Sequence, residues 1–186
     1  MNAIGSTDLV NSTTQENPSS KIDTLHWYAI YTRPRFEKKV DAQLKEKGFE
    51  SYLPLHTVVR QWSDRRKKVE EPLFRGYVFV RTTPRERVHS LQIIGAVRMV
   101  GFGGRPSIVP DEQIEAVRRI LKEGLKVETI DYIQTGDLVE VVQGPLMGLK
   151  GVLMEKRHRG RFVISIDSIR QSISVEIDVR DVRKIG

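Results

Sequence analysis

The chain has 186 residues, 39% of them hydrophobic, enough for one ordinary domain or two small ones with a buried core. Its 31 Lys and Arg against 24 Asp and Glu give a net charge of +7, a moderate excess that favours a phosphate-bearing partner without requiring one. With no Cys there is no disulfide, thiolate nucleophile or Cys-ligated zinc; no run approaches the ~20 apolar residues of a membrane span, and no secretory signal opens the chain, so a cytoplasmic protein without membrane contact is expected.

Residues 1–25 are rich in Ser, Thr, Asn and Gln and hold too few apolar groups to offset the entropy of ordering, which predicts a disordered tail. Order begins at Trp27-Tyr28-Ala29-Ile30-Tyr31, an aromatic and β-branched run that reads as a strand covered on both faces. Pro34 then suits a first helical turn, and Phe36, Val40 and Leu44 recur every four residues until Gly48, predicting an amphipathic helix. Val58 to Val69 reads as a projecting hairpin with a basic tip. Tyr77 to Val80 is another core strand, and Thr83-Pro84-Arg85-Glu86 has the spacing of a capping box ahead of a helix carrying Val88 and Leu91. Val97 to Phe102 supplies a further strand, and Pro110-Asp111 opens a helix with the stripe Ile114, Val117, Ile120 and Leu121, stopped by Gly124.

This order predicts an α+β fold: an antiparallel sheet with helices in a split β-α-β arrangement over residues 26–124. Residues 125–134 read as a linker, with docking of Val127, Ile130 and Tyr132 on a domain as the open alternative. From residue 135 to 186 the pattern becomes short strands separated by Gly, at Leu138 to Val142, Val152 to Lys156, Arg161 to Ile166 and Ser172 to Val179. In the last, Ile173, Val175, Ile177 and Val179 alternate with Ser172, Ser174, Glu176 and Asp178. Such strands suggest a small SH3-like barrel. The strict alternation argues against refolding to helix, so circular dichroism of isolated residues 133–186 should show strand.

The segment Gly136 to Val152, with Gly144-Pro145-Leu146-Met147-Gly148 at its turn, resembles the KOW motif of strand, glycine-rich loop and strand. It follows Trp27 to Tyr31, Glu71-Pro72-Leu73-Phe74-Arg75-Gly76-Tyr77-Val78-Phe79-Val80 and Ile108-Val109-Pro110, which resemble the NusG N-terminal domain in order and spacing. The resemblance covers residues 26–186. Within the NusG family the Gln61-Trp62-Ser63-Asp64-Arg65 hairpin is most similar to specialised paralogues such as the UpxY antiterminators, with RfaH more distant.

The resemblance implies an elongation and antitermination factor, a monomer without enzymatic activity, metal or cofactor, whose N-terminal domain binds the clamp helices of RNA polymerase. It places Tyr31, Phe74, Tyr77, Phe79, Phe102 and Ile114 at the apolar positions of that contact. Aromatic anchors suit such an interface, and ordinary core packing is the alternative, weighed evenly for Phe79 and Ile114. The family usually has Pro where this chain has Arg75, which frees the backbone before Tyr77 and adds a charge. Arg60, Arg65, Arg66, Lys67 and Lys68 around Trp62 combine positive charge with an aromatic ring, which favours contact with upstream or non-template DNA. Arg33, Arg35, Lys38 and Lys39 carry less weight, since alternating charge also solubilises a helix face.

In the barrel, Leu146, Met147 and Leu149 are the loop residues expected to meet a further partner; Rho or a ribosomal protein is the class the resemblance offers. Lys156, Arg157, His158, Arg159 and Arg161 form a second basic turn for which RNA contact and plain solvation stay open. The competing reading is a ribosome-associated or RNA-binding KOW protein. Enzymatic chemistry finds no foothold in the sequence, because His26, His56, His89 and His158 are scattered without ligand spacing.

Overall fold

The computed structural model of the chain describes residues 24–62, 65–133, 136–156 and 159–185. Its first half runs β1 (His26–Thr32), α1 (Glu37–Glu46), β2 (Glu50–Tyr52), β3 (Leu55–Gln61), β4 (Arg66–Pro72), β5 (Tyr77–Thr82), α2 (Arg87–Leu91), β6 (Ala96–Met99), β7 (Gly101–Phe102), β8 (Arg105–Pro106), β9 (Ile108–Val109) and α3 (Asp111–Lys122). The strand β1 lies at the centre of an antiparallel sheet of order β2-β5-β1-β6, with β9 also paired to it. A strand at the centre of a sheet buries both faces, which is why β1 reads as apolar throughout.

Alternation on β1 and β5 divides the core in two. Tyr28, Ile30, Val78 and Val80 point to one side, where Val40 and Leu44 of α1 cover them. Trp27, Ala29 and Phe79 belong to the other cluster, with Ile114, Val117 and Ile120 of α3. Each fully buried side chain of this size contributes roughly 1.5–3 kcal/mol of transfer free energy, so the two helices hold the sheet from opposite sides.

Two local expectations are modified. The stretch Val97 to Phe102 is not one strand: β6 ends at Met99, and the chain bends at Val100, whose N–H donates to the Ala29 carbonyl while its own carbonyl accepts from Ser107. The Glu86 N–H donates to Thr83 Oγ1 at 3.2 Å as the spacing predicts, but in the turn ahead of α2, a helix of little more than one turn whose N-cap residue, Glu86, makes no side-chain cap bond. The hairpin β3–β4 is longer than its basic tip, pairing from Leu55 with Pro72 out to Gln61 with Arg66.

The second half comprises β10 (Val127–Asp131), β11 (Asp137–Val141), β12 (Lys150–Lys156), β13 (Arg159–Ile166), a 3-10 turn at Asp167–Ile169, β14 (Gln171–Ile177), a second 3-10 turn at Val179–Asp181 and β15 (Val182–Lys184). Strand order is β10-β14-β13-β12-β11-β15. The segment read as a linker thus supplies β10, paired with β14 from Val127↔Val175 to Asp131↔Gln171. The added strand explains why β14 buries its polar side as well: Ser172 and Ser174 are enclosed with the apolar residues. The Ser172 hydroxyl accepts the Ile133 N–H at 3.2 Å and lies 2.8 Å from Ser165 Oγ, so this buried hydroxyl is satisfied. No helix among the described residues is long and apolar enough to cross a membrane.

Candidate functional site

The aromatic residues singled out by likeness separate into three environments. Phe74 and Phe79 are fully buried, their rings edge to face at 5.9 Å, and Ile114 is buried with them from α3. Tyr77 is half-buried and packs on the same cluster. Tyr31, 36% exposed, meets Tyr77 at 5.6 Å between ring centres and stands at the cluster's edge. Phe102 joins none of these; it is 90% exposed at the tip of the β7–β8 hairpin. In this arrangement Phe74, Phe79 and Ile114 are sealed, Tyr77 and Tyr31 border them, and Phe102 stands elsewhere.

What seals them is only partly the N-terminal domain. The cluster that holds Phe74, Phe79 and Ile114 continues without a break into Val139, Val141, Leu146, Phe162, Ile164, Ile166 and Ile169 of the barrel. Polar contacts surround this seam. Arg119 donates from Nε to the Pro145 carbonyl at 2.9 Å and from Nη1 to the Met147 carbonyl at 2.7 Å. Gln113 Nε2 donates to Asp167 Oδ2 at 2.8 Å, and the Tyr132 hydroxyl donates to the other oxygen of the same carboxylate at 2.7 Å. The barrel is docked on α3.

The KOW loop is part of that seam. Gly144 and Gly148 have φ of 80° and 87°, a left-handed conformation that lets the turn present its carbonyls to Arg119. Leu146 is buried in the shared cluster, Leu149 packs against it, and Met147 is exposed. One side of this loop is occupied by α3. Sequence reasoning missed Gln113, Arg119 and Asp167. One signal was present: Ala116 lies two residues from Ile114, nearly opposite it on a helix of 3.6 residues per turn, so a helix burying both has more than one covered face.

The basic hairpin has a different character at its root and its tip. At the tip, Trp62 is 58% exposed, and Arg65, Arg66, Lys67 and Lys68 are all on the surface; residues 63 and 64 lie outside the described residues. At the root, Arg60 is turned back onto Glu71 through two bonds of 2.8 and 2.9 Å, and Arg75 adds a third at 3.0 Å. These guanidinium bonds hold the Glu71 carboxyl down at about 2, so it stays ionised. Burial pushes the neighbouring His56 below its ordinary range; Glu71 pulls it back and Arg75 lowers it further. Arg60 is thus a member of an ion-pair network and not of the tip cluster. In the second basic turn, residues 157 and 158 lie outside the described residues, and Arg161 pairs with Glu128 at 3.0 Å.

A sheet-and-helix domain followed by a small β domain, with an aromatic cluster at their junction and a basic hairpin beside it, defines a two-domain architecture that is matched as a whole by known proteins. A family model described as transcription termination factor nusG matches residues 25–118, and the chain belongs to that family, whose members are transcription factors and not enzymes. The transcription termination/antitermination protein NusG of Pseudomonas aeruginosa is 26% identical over 174 residues, covering 86% of this chain and 98% of the relative. That of Staphylococcus carnosus is 25% identical over 185 residues, covering 90% and 100%. Among solved structures, one described as domain interaction in Thermotoga maritima NusG aligns with a TM-score of 0.50 at 24% identity, covering 88% of this chain and 98% of that one, a likeness of fold.

Proposed function

We propose that the chain acts during transcript elongation and antitermination by binding the clamp helices of RNA polymerase with the aromatic face around Phe79. Tyr77, Phe74 and Ile114 form the body of that face and Tyr31 its border. The hairpin tip, with Trp62, Arg65, Arg66, Lys67 and Lys68, meets upstream or non-template DNA, and the KOW loop recruits a further partner such as Rho or a ribosomal protein. The finer likeness to UpxY-type antiterminators, carried by the hairpin sequence, favours a specialised factor over a general one.

The observation that supports this reading is the composition of the cover over the aromatic face. Much of it comes from a second domain joined through residues 123–126, and a cover on a tether can be exchanged for a helical partner of matching apolarity. The docked arrangement is then the closed state, and polymerase binding requires the barrel to leave α3. A pull-down with purified RNA polymerase tests the reading. Wild-type chain should retain the enzyme and Tyr77→Asp should lose it. Equal retention by both removes this face from the interaction, and retention of RNA without polymerase moves the function to an RNA-binding barrel. Transcription across a terminator, with and without the chain, then reports whether readthrough rises.

A further inference from the structure

Between the root of the β3–β4 hairpin and the start of α1 lies an open cleft of about 620 Å³. Four basic side chains from three segments line it: Arg35 and Lys38 from the turn before α1 and its first turn, Arg60 from β3, and Arg75 from the turn before β5. Two carboxylates also line it, and both are committed. Glu37 accepts the Gly76 N–H at 2.8 Å, and Glu71 is held by Arg60 and Arg75. The cleft keeps an excess of positive charge. Lys38 uses one proton on the Glu70 carbonyl at 2.9 Å, leaving donor capacity, and the Arg75 side chain is largely exposed.

Two further features mark this place as built for a ligand. Thr32, which also lines the cleft, is fully buried, yet its hydroxyl has no hydrogen-bond partner, an unfavourable condition that folded proteins rarely leave without a reason. Arg35 has φ of 67°, the left-handed region that a non-glycine residue seldom adopts. Such strain gathers where a side chain must be held toward a function. The rest of the lining is Pro34, Pro72, Gly76 and the partly exposed ring of Tyr31, over which Arg98 lies at 5.6 Å. Converging cations beside an accessible aromatic ring fit a phosphate joined to a planar base, and a duplex would not place its base in a cleft of this size.

We propose that this cleft holds one unpaired nucleotide of single-stranded nucleic acid, with its phosphate against Arg35, Lys38 and Arg75 and its base on Tyr31. The inference rests on the nucleic-acid part of the proposed function and adds a second contact, at the root of the hairpin. It also gives the exposed Arg75 a role in this chain.

The test is fluorescence anisotropy of the full chain with a short labelled oligothymidylate. Three variants are compared with wild type: Arg35→Gly combined with Lys38→Ala, which removes two charges while relaxing the backbone; Tyr31→Leu; and a tip variant, Arg66→Ala with Lys67→Ala. Loss of two of the three cations on the phosphate should weaken binding roughly tenfold or more at low salt and flatten its salt dependence, and Tyr31→Leu should weaken it by about fivefold or more. Thr32→Val, which deletes the unpartnered hydroxyl at nearly constant shape, should weaken binding without lowering the unfolding midpoint. Wild-type affinity in the cleft variants, with loss only in the tip variant, overturns the cleft and leaves the tip reading standing. No binding by wild type overturns both. Thymidine monophosphate binding as tightly as the oligonucleotide makes the cleft a site for a free nucleotide and overturns the strand.

Discussion

Phe79 and Phe102, placed in one interface by likeness, behave as different kinds of residue. Phe79 lies edge-on to Phe74 and near-parallel to Tyr52 at 6.4 Å, with no surface left to water. Replacing it with Ala empties a closed core, and denaturant unfolding should show a loss of about 3–5 kcal/mol. Phe102→Ala removes a side chain that touches mainly solvent, so the same measurement should move by no more than about 0.5 kcal/mol. If Phe102 anchors the polymerase contact, its loss appears in the pull-down alone. Arg35 offers the opposite kind of prediction. A left-handed conformation costs an L-residue about 1–2 kcal/mol, partly offset by the extra unfolded-state entropy of Gly, about 0.5–1 kcal/mol. Arg35→Gly should therefore raise thermal stability slightly. A lower midpoint would mean that contacts of the Arg35 side chain outweigh its backbone strain.

The hairpin β3–β4 stands outside both sheets and owes its anchoring to its root. Among the described residues its two strands pair with each other and with no third strand, so side chains at the base determine how firmly it projects. Glu71 organises that base by gathering Arg60 and Arg75. Its carboxyl sits at about 2 in the folded chain against an ordinary value of 4.5, so folding favours the charged form. The resulting stabilisation is complete above about pH 4.5 and is lost as pH falls through about 2. Thermal unfolding of wild type and Glu71→Gln should accordingly differ near neutral pH and converge over that acid range. Parallel curves at every pH would show that the network contributes nothing. Short stretches around Val58 and Val69 on either side of a charged tip made this hairpin legible in the sequence. The inward turn of Arg60 was not, because its partner lies across the ladder at Glu71, eleven residues away.

In the whole molecule, two domains share one hydrophobic cluster, and the seam is flanked by directed hydrogen bonds. Removing the donors with Gln113→Ala and Arg119→Ala deletes three bonds, each of roughly 0.5–1.5 kcal/mol. Small-angle scattering of that double variant should show a larger radius of gyration while its circular dichroism is unchanged. An unaltered radius would mean that the apolar seam alone keeps the barrel docked. The same variant should bind polymerase more readily if docking masks the aromatic face. The elements themselves were readable from local pattern: apolar recurrence every three or four residues wrote α1 and α3, unbroken aromatic and β-branched runs wrote β1 and β5, two-residue alternation wrote β14, and the glycine-rich turn wrote the KOW loop. Local pattern carries that information because side-chain direction repeats with the backbone period over a few residues. The fate of the surfaces was not written there. The approach of α3 to the barrel joins residues 26 and 54 positions apart. The addition of β10 to β14 and the gathering of Arg35, Lys38, Arg60 and Arg75 around one cleft likewise bring distant segments together. Whether an apolar face is buried or offered to a partner depends on what the rest of the chain lays over it, and that is settled only when distant elements pack.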